Sequence, residues 1–132
     1  MLLYMTLGSN DITRSRKFYD AALKPLGMKC DYEGDDELGY GRVDRAADQR
    51  ECILWIGRPF LKLPATWGNG SMVALAAQTR KVVDEFYSVG LANGGIDEGA
   101  PGLRPYHANF YAAYLRDPDG NKLSAVCEAA EG

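Results

Sequence analysis

The chain repeats itself once. At an offset of 68 residues Leu7 aligns with Leu75, Phe18 with Phe86, Tyr19 with Tyr87, Leu23 with Leu91 and Gly27 with Gly95. Half of the 132 residues is 66, so the offset divides the chain into two near-equal modules. A fixed period constrains a fold more than any single motif, because each copy builds the same unit. The matched positions are fold-defining: an apolar strand residue, an aromatic pair and a leucine on one helix face, and a glycine just past the helix. The first expectation is a duplicated module.

Local signals give that module its shape. Residues 2–8 are apolar and β-prone and read as a strand. Ser9-Asn10-Asp11 supplies helix caps, and Phe18, Tyr19, Ala22 and Leu26 follow at helical spacing. Pro25 and Gly27 end that helix. Residues 28–33 and 38–43 flank the turn-rich Gly34-Asp35-Asp36, which predicts a hairpin, and 52–56 is a further apolar strand. The first half therefore reads βαβββ. Residues 57–70 hold two prolines, three glycines and a tryptophan and form the connector. Strand-like residues 71–77, a helix over 80–91 and the stop Asn93-Gly94-Gly95 repeat the opening. Residues 96–107 are rich in glycine and proline and are expected to be mostly loop, with a short strand at the start. Residues 110–115 and 123–127 are strands around the turn Asp117-Pro118-Asp119-Gly120-Asn121. We place module 1 at 1–57, the linker at 58–70 and module 2 at 71–132, together one domain.

Charge and cysteine usage narrow the partners. A net charge of −3 and a pI of about 5.1 argue against a nucleic-acid footprint. No apolar run reaches membrane-spanning length, and the chain enters its first strand without a charged leader. A cytoplasmic location is expected. Cys30, Cys52 and Cys127 are odd in number, widely spaced and free of any CxxC pair, and read as free thiols.

The segment Asn109-Phe110-Tyr111-Ala112-Ala113-Tyr114-Leu115-Arg116-Asp117-Pro118-Asp119-Gly120-Asn121-Lys122-Leu123-Ser124-Ala125-Val126-Cys127 resembles the closing hairpin of the glyoxalase/bleomycin resistance protein/dioxygenase superfamily, the vicinal oxygen chelate proteins. Leu7-Gly8-Ser9-Asn10-Asp11 with Arg14-Ser15 and Phe18-Tyr19 resembles its opening strand and helix, and Gly99 to His107 resembles the loop before its seventh strand. The resemblance covers essentially the whole chain. It implies an α+β fold in which two βαβββ modules form a cupped eight-stranded mixed sheet, with helices outside and a small-molecule site inside. It also implies one divalent metal in most of the enzymes, held by His, Glu or Gln, and activities such as glyoxalase I, epimerase or extradiol dioxygenase. Metal-free relatives bind antibiotics or other small molecules, and fold alone does not choose among these.

The chain departs from that pattern at the ligands. The resemblance puts the first-strand ligand at Tyr4, the fifth-strand ligand at Met72 and the last-strand glutamate at Ser124. The fourth strand offers Ile53, Leu54 and Trp55, with only Glu51 and Cys52 near its start. A catalytic divalent metal wants three N, O or S protein ligands and an open position. No metal and no other cofactor is expected.

Strand alternation then sorts the faces. If Tyr4 and Met72 face the cup, so do Thr6, Ala74, Ser124 and Val126. Leu3, Met5, Leu7, Val73, Leu75, Leu123, Ala125 and Cys127 then face the helices. The cup floor of Tyr4, Met72 and Ser124 suits an apolar or aromatic molecule. Trp55, Tyr40, Phe110 and Tyr114 either line the cup or pack on the helices. Arg104 is a candidate clamp for a carboxylate or phosphate, with Arg42 and Arg116 as strand-borne alternatives. His107, the single histidine, is either an acid/base at the rim or a loop residue bonded to backbone. The candidate binding residues are thus Tyr4, Met72, Ser124, Trp55, Arg104, His107 and Tyr114, and the candidate catalytic groups are His107 and Tyr4.

The resulting expectation is a superfamily member that lacks the usual metal ligands and binds a small organic molecule in the cup. The alternative is a lyase, isomerase or dioxygenase with a relocated metal or acid/base site. The expected partners are that small molecule and, by the family's habit, a second copy in a homodimer.

Overall fold

The computed structural model describes residues 1–131. Its first half runs β1 (Met5–Gly8), α1 (Ile12–Leu23), a 3-10 turn (Lys24–Leu26), β2 (Met28–Glu33), β3 (Glu37–Arg42) and β4 (Leu54–Gly57). Its second half runs β5 (Val73–Ala76), α2 (Arg80–Ala92), β6 (Ile96–Leu103), β7 (Tyr111–Arg116) and β8 (Lys122–Cys127). The α+β class and the paired βαβββ order are the expected ones. The strands form two four-stranded sheets, ordered β1-β4-β3-β2 and β5-β8-β7-β6. Each sheet has one parallel pair, β1 with β4 and β5 with β8, and is otherwise antiparallel. Among the described residues no backbone ladder joins the two sheets, so β1 and β5 are both edge strands.

Both helices start on a side-chain cap. Asp11, in extended backbone, accepts the Arg14 N–H at 3.0 Å, and Thr79 accepts the Val82 N–H at 3.2 Å. The repeated glycines serve different ends. Gly27 adopts φ 76°, the left-handed conformation that turns the chain out of the 3-10 turn. Gly95 has no such φ. A Cβ there would sit 2.7 Å from the Gly90 carbonyl and 2.8 Å from the Phe18 ring, so close packing selects it.

Each helix covers one face of its own sheet, and the two helices pack on each other. The core runs from Leu38, Tyr40, Leu54 and Ile56 through Phe18, Tyr19, Ala22 and Leu23 to Val83 and Phe86, then Ala113, Leu115, Leu123 and Ala125. Each large apolar side chain so buried stabilises the fold by roughly 1.5–3 kcal/mol. Met5, Leu7, Val73 and Leu75 pack against this core, as alternation predicts.

The β7–β8 turn locks the two modules together. Asp117 is fully buried and accepts from Tyr19 Oη, from the backbone N–H groups of Asp119 and Asn121, and from Asn121 Nδ2. Asn121 Nδ2 also donates to the Gly8 carbonyl at 2.9 Å. Asp119 accepts from the Asn10 N–H at 2.9 Å, Arg14 Nη2 at 2.8 Å and Ser15 Oγ at 3.2 Å. A carboxylate of module 2 therefore sits at the N-terminus of the helix of module 1, where unpaired N–H groups and the helix dipole favour negative charge.

Two expectations need correction, and one open alternative is settled. The short strand expected at the start of 96–107 is an eight-residue strand over 96–103. It is an edge strand with two register shifts, and an edge position tolerates Pro101 because only one side of it needs a ladder. Leu3 lies before β1 and is 67% exposed, so it packs on no helix. Tyr40 belongs to the core and not to the cup, and its hydroxyl donates to Asp20 at 2.7 Å.

Candidate functional site

With the helices on one face of each sheet, the opposite faces are open for a ligand. On the first sheet the register sets Thr6, Trp55, Gly39 and Tyr32 side by side across four strands. Gly39 must be small: a Cβ there would lie 2.7 Å from Cys52 Sγ and 2.8 Å from the Trp55 ring. The Trp55 indole thus lies down over β3 and meets the Tyr32 ring at 5.5 Å between centroids. Tyr4 stands beside this face, 49% exposed, with the Arg50 guanidinium 4.8 Å from its ring centre.

On the second sheet the corresponding row is Ala74, Ser124, Tyr114 and Gly99. The next row is Ala76, Val126, Ala112 and Gly102, a flat floor of small side chains. Arg104 folds back over this sheet. Its Nη2 donates to the Ala100 carbonyl at 2.5 Å, and its guanidinium carbon lies 5.3 Å from the Tyr114 ring centre. Lys122 Nζ approaches the same ring at 5.5 Å. Ser124 is fully buried, and its hydroxyl has no hydrogen-bond partner. Arg116 is already committed, to Glu98, to the Gly120 carbonyl and to the Trp67 ring. Met72 lies just before β5 and is 45% exposed.

The candidates from sequence therefore divide in two. Tyr4 and Trp55 belong to the first face; Ser124, Tyr114 and Arg104 meet on the second, with Met72 at its edge. His107 joins neither group. Its Nδ1 accepts the Asn109 N–H at 3.1 Å, so Nε2 carries the proton and donates to Glu128 at 2.8 Å. Both ring nitrogens are engaged by these partners. Sequence reasoning did not find Tyr32, Lys122, or the glycines Gly99 and Gly102 beneath Arg104. The spacing Gly99-x-x-Gly102-x-Arg104 was the available signal.

The donor set at the family's metal positions is poor. Tyr4 and Ser124 offer neutral hydroxyls and Met72 a thioether, and a divalent metal of this family's kind is held by imidazole, carboxylate or thiolate. Among the described residues no three His, Cys, Asp or Glu side chains converge. Cys52 is buried against Gly39, and burial raises its thiol above the ordinary value, away from thiolate. The residues present do not fit the metal, and no reaction step is derived through one.

The fold recurs in known structures. A glyoxalase/bleomycin resistance protein from Albidiferax ferrireducens is 38% identical, with 98% of this chain and 99% of that one covered and a TM-score of 0.83. A glyoxalase/bleomycin resistance protein/dioxygenase family enzyme from Burkholderia phytofirmans is 19% identical, with 96% and 98% covered and a TM-score of 0.71. Glyoxalase I from Zea mays is 25% identical, with 95% of this chain and 45% of that one covered and a TM-score of 0.70. No protein-family model and no curated protein sequence matches the chain. The duplicated βαβββ architecture and the full-length relative at 38% identity lead to one conclusion: this chain belongs to the glyoxalase/bleomycin resistance protein/dioxygenase superfamily.

Proposed function

We propose that the protein binds a small organic molecule on the open sheet faces and does so without the divalent metal used by the superfamily's enzymes. One observation carries this reading. The three positions that the resemblance assigns to metal ligands are Tyr4, Met72 and Ser124, and they border or lie on faces furnished with Trp55, Tyr32 and Tyr114. Flat aromatic groups with few polar ones are the usual lining of a small-molecule site.

The cup belongs to a homodimer in this reading. The edge strands β1 and β5 both lack a partner on one side, and an open edge is a template for pairing with another chain. Exposed Met1, Leu2, Leu3 and Tyr4 precede one edge, and Met72 precedes the other. Pairing β1 of one copy with β5 of a second would bring a tryptophan face and a tyrosine face together. Light scattering at micromolar concentration is expected to return twice the chain mass, and a clean monomer mass rejects the dimer.

The direct test of metal-free binding is elemental analysis of untagged protein before and after chelation. Substoichiometric metal is expected. Near one equivalent of zinc, nickel, manganese or iron, lost on chelation, overturns the reading and makes Glu51, Cys52 and His107 the first residues to substitute.

A further inference from the structure

We infer that the open face of the second sheet holds an anionic subsite, and that the ligand is a small carboxylate with a flat apolar body. This rests on the reading that the sheet faces bind a small molecule, and it names the class of that molecule.

Four observations converge. The first is unbalanced charge. Arg104 and Lys122 both lie within 5.5 Å of the Tyr114 ring centre, and among the described residues neither forms a salt bridge. Both cations add positive charge around one ring, and an anion bound at that ring is favoured by each of them. The chain has 18 acidic and 15 basic residues, yet the carboxylate on this face, Glu98, is bonded to Arg116 and not to either of these two.

The second is preorganisation. The Arg104 guanidinium is tied to the Ala100 carbonyl, with a longer contact of 3.5 Å to the Leu103 carbonyl. Two carbonyls leave three of its five N–H donors free for an oxyanion. The third is room made for that pose. A Cβ at Gly102 would lie 3.1 Å from Arg104 Nη1, and one at Gly99 would lie 2.9 Å from the Tyr114 ring and 3.5 Å from Arg104 Nη2. Both glycines keep the arginine flat against the sheet.

The fourth is the orphan hydroxyl. Ser124 Oγ is buried without a partner and shares the open face with Tyr114, to which it is directly paired. A buried polar group without a partner is unfavourable unless a ligand or water completes it. Beside these polar groups lies a row in which Ala76, Val126 and Gly102 reach the surface around buried Ala112, with no donor side chain among them. A bare inorganic anion makes no use of that floor; an aryl or unsaturated carboxylate does.

The test is a titration of isotope-labelled full-length protein followed by amide NMR, using 2-naphthoate, its neutral isostere 2-naphthamide, and inorganic phosphate. Naphthoate is expected to shift the amides of Gly99, Tyr114 and Ser124 and to bind at least roughly tenfold tighter than the amide. Arg104→Gln and Lys122→Met are each expected to reduce the acid-over-amide affinity ratio to within about twofold of unity. Equal affinity for acid and amide at these amides overturns the anionic subsite and leaves the small-molecule reading standing. Phosphate binding as tight as naphthoate overturns the organic class. No shift on either open face with any probe removes this inference and the reading beneath it. The amide spectra of the variants report directly whether each has kept its fold.

Discussion

In the first module the chain uses residues 43–53 to pass from β3 to β4; in the second it uses 117–121 to pass from β7 to β8. The repeat aligns Gln49, Glu51 and Ile53 with Asp117, Asp119 and Asn121. Gln49 acts locally, accepting the Ala46 N–H at 2.8 Å. Its counterpart Asp117 reaches into the other module and takes the Tyr19 hydroxyl. Charge pairing does not divide by module. Arg16, Arg42, Arg45 and Arg58 of the first and Arg80 and Arg116 of the second are paired with carboxylates. Arg50 of the first and Arg104 and Lys122 of the second lie against tyrosine rings. A duplicated architecture has thus been specialised. One copy's turn holds the pair of modules together, and the other copy's longer connection bonds within itself.

The strongest way to break this comparison is at Asp117. Asp117→Ala leaves a buried phenol, a side-chain amide and two backbone N–H groups without their acceptor, and is expected to lose about 3 kcal/mol in urea unfolding. Gln49→Ala, at the matching position, is expected to stay within about 0.5 kcal/mol. Equal losses would end the claim of specialisation. Gly41→Ala tests the first module's longer closure. A Cβ there would run into the Glu51 backbone carbonyl, so a loss of about 2 kcal/mol is expected by the same measurement.

Helix capping separates the modules more finely. Asp119→Ala removes a cross-module carboxylate from the start of α1 and is expected to lose about 1.5 kcal/mol, against about 1 kcal/mol for the local cap in Thr79→Ala. A reversed order would show that the distant carboxylate adds little to α1.

The smallest effect is in pH. Burial raises the Asp117 carboxyl above its ordinary value, and the hydrogen bonds from Tyr19, Asn121 and the Asp119 backbone act in the other direction. A raised folded value means that its contribution to stability is full below the unfolded value of 3.8 and is lost as pH rises through the folded one. Asp117→Asn removes that titration, so its stability is expected to vary less than the wild type's between acid and neutral pH.

Much of this was legible in the residues. Alternation placed Met5, Leu7, Val73 and Leu75 toward the helices, because a half-buried strand records which side is covered. Only the start of β6 was legible, because Gly99, Pro101 and Gly102 carry no strand signal and only edge position makes them tolerable. Asp117, Asp119 and Asn121 announced a turn, but a turn motif does not name partners far along the chain. The site divides likewise. Arg104, Tyr114 and Ser124 were each visible as candidates. Their meeting depends on register shifts between Asp97 and Gly102, which no local pattern encodes. The tie between His107 and Glu128 is tertiary and left no trace in spacing.

The carboxylate that receives the Tyr19 hydroxyl stands 98 positions downstream of it. During synthesis, then, the first helix leaves the ribosome long before the turn that completes it exists. A helix of 12 residues has little stability alone, and this one waits with Tyr19 and the Asn10 amide unanswered. The leading half is in that sense a draft until the trailing half arrives, and the repeat that looks like two equal parts behaves in time as a part and its completion.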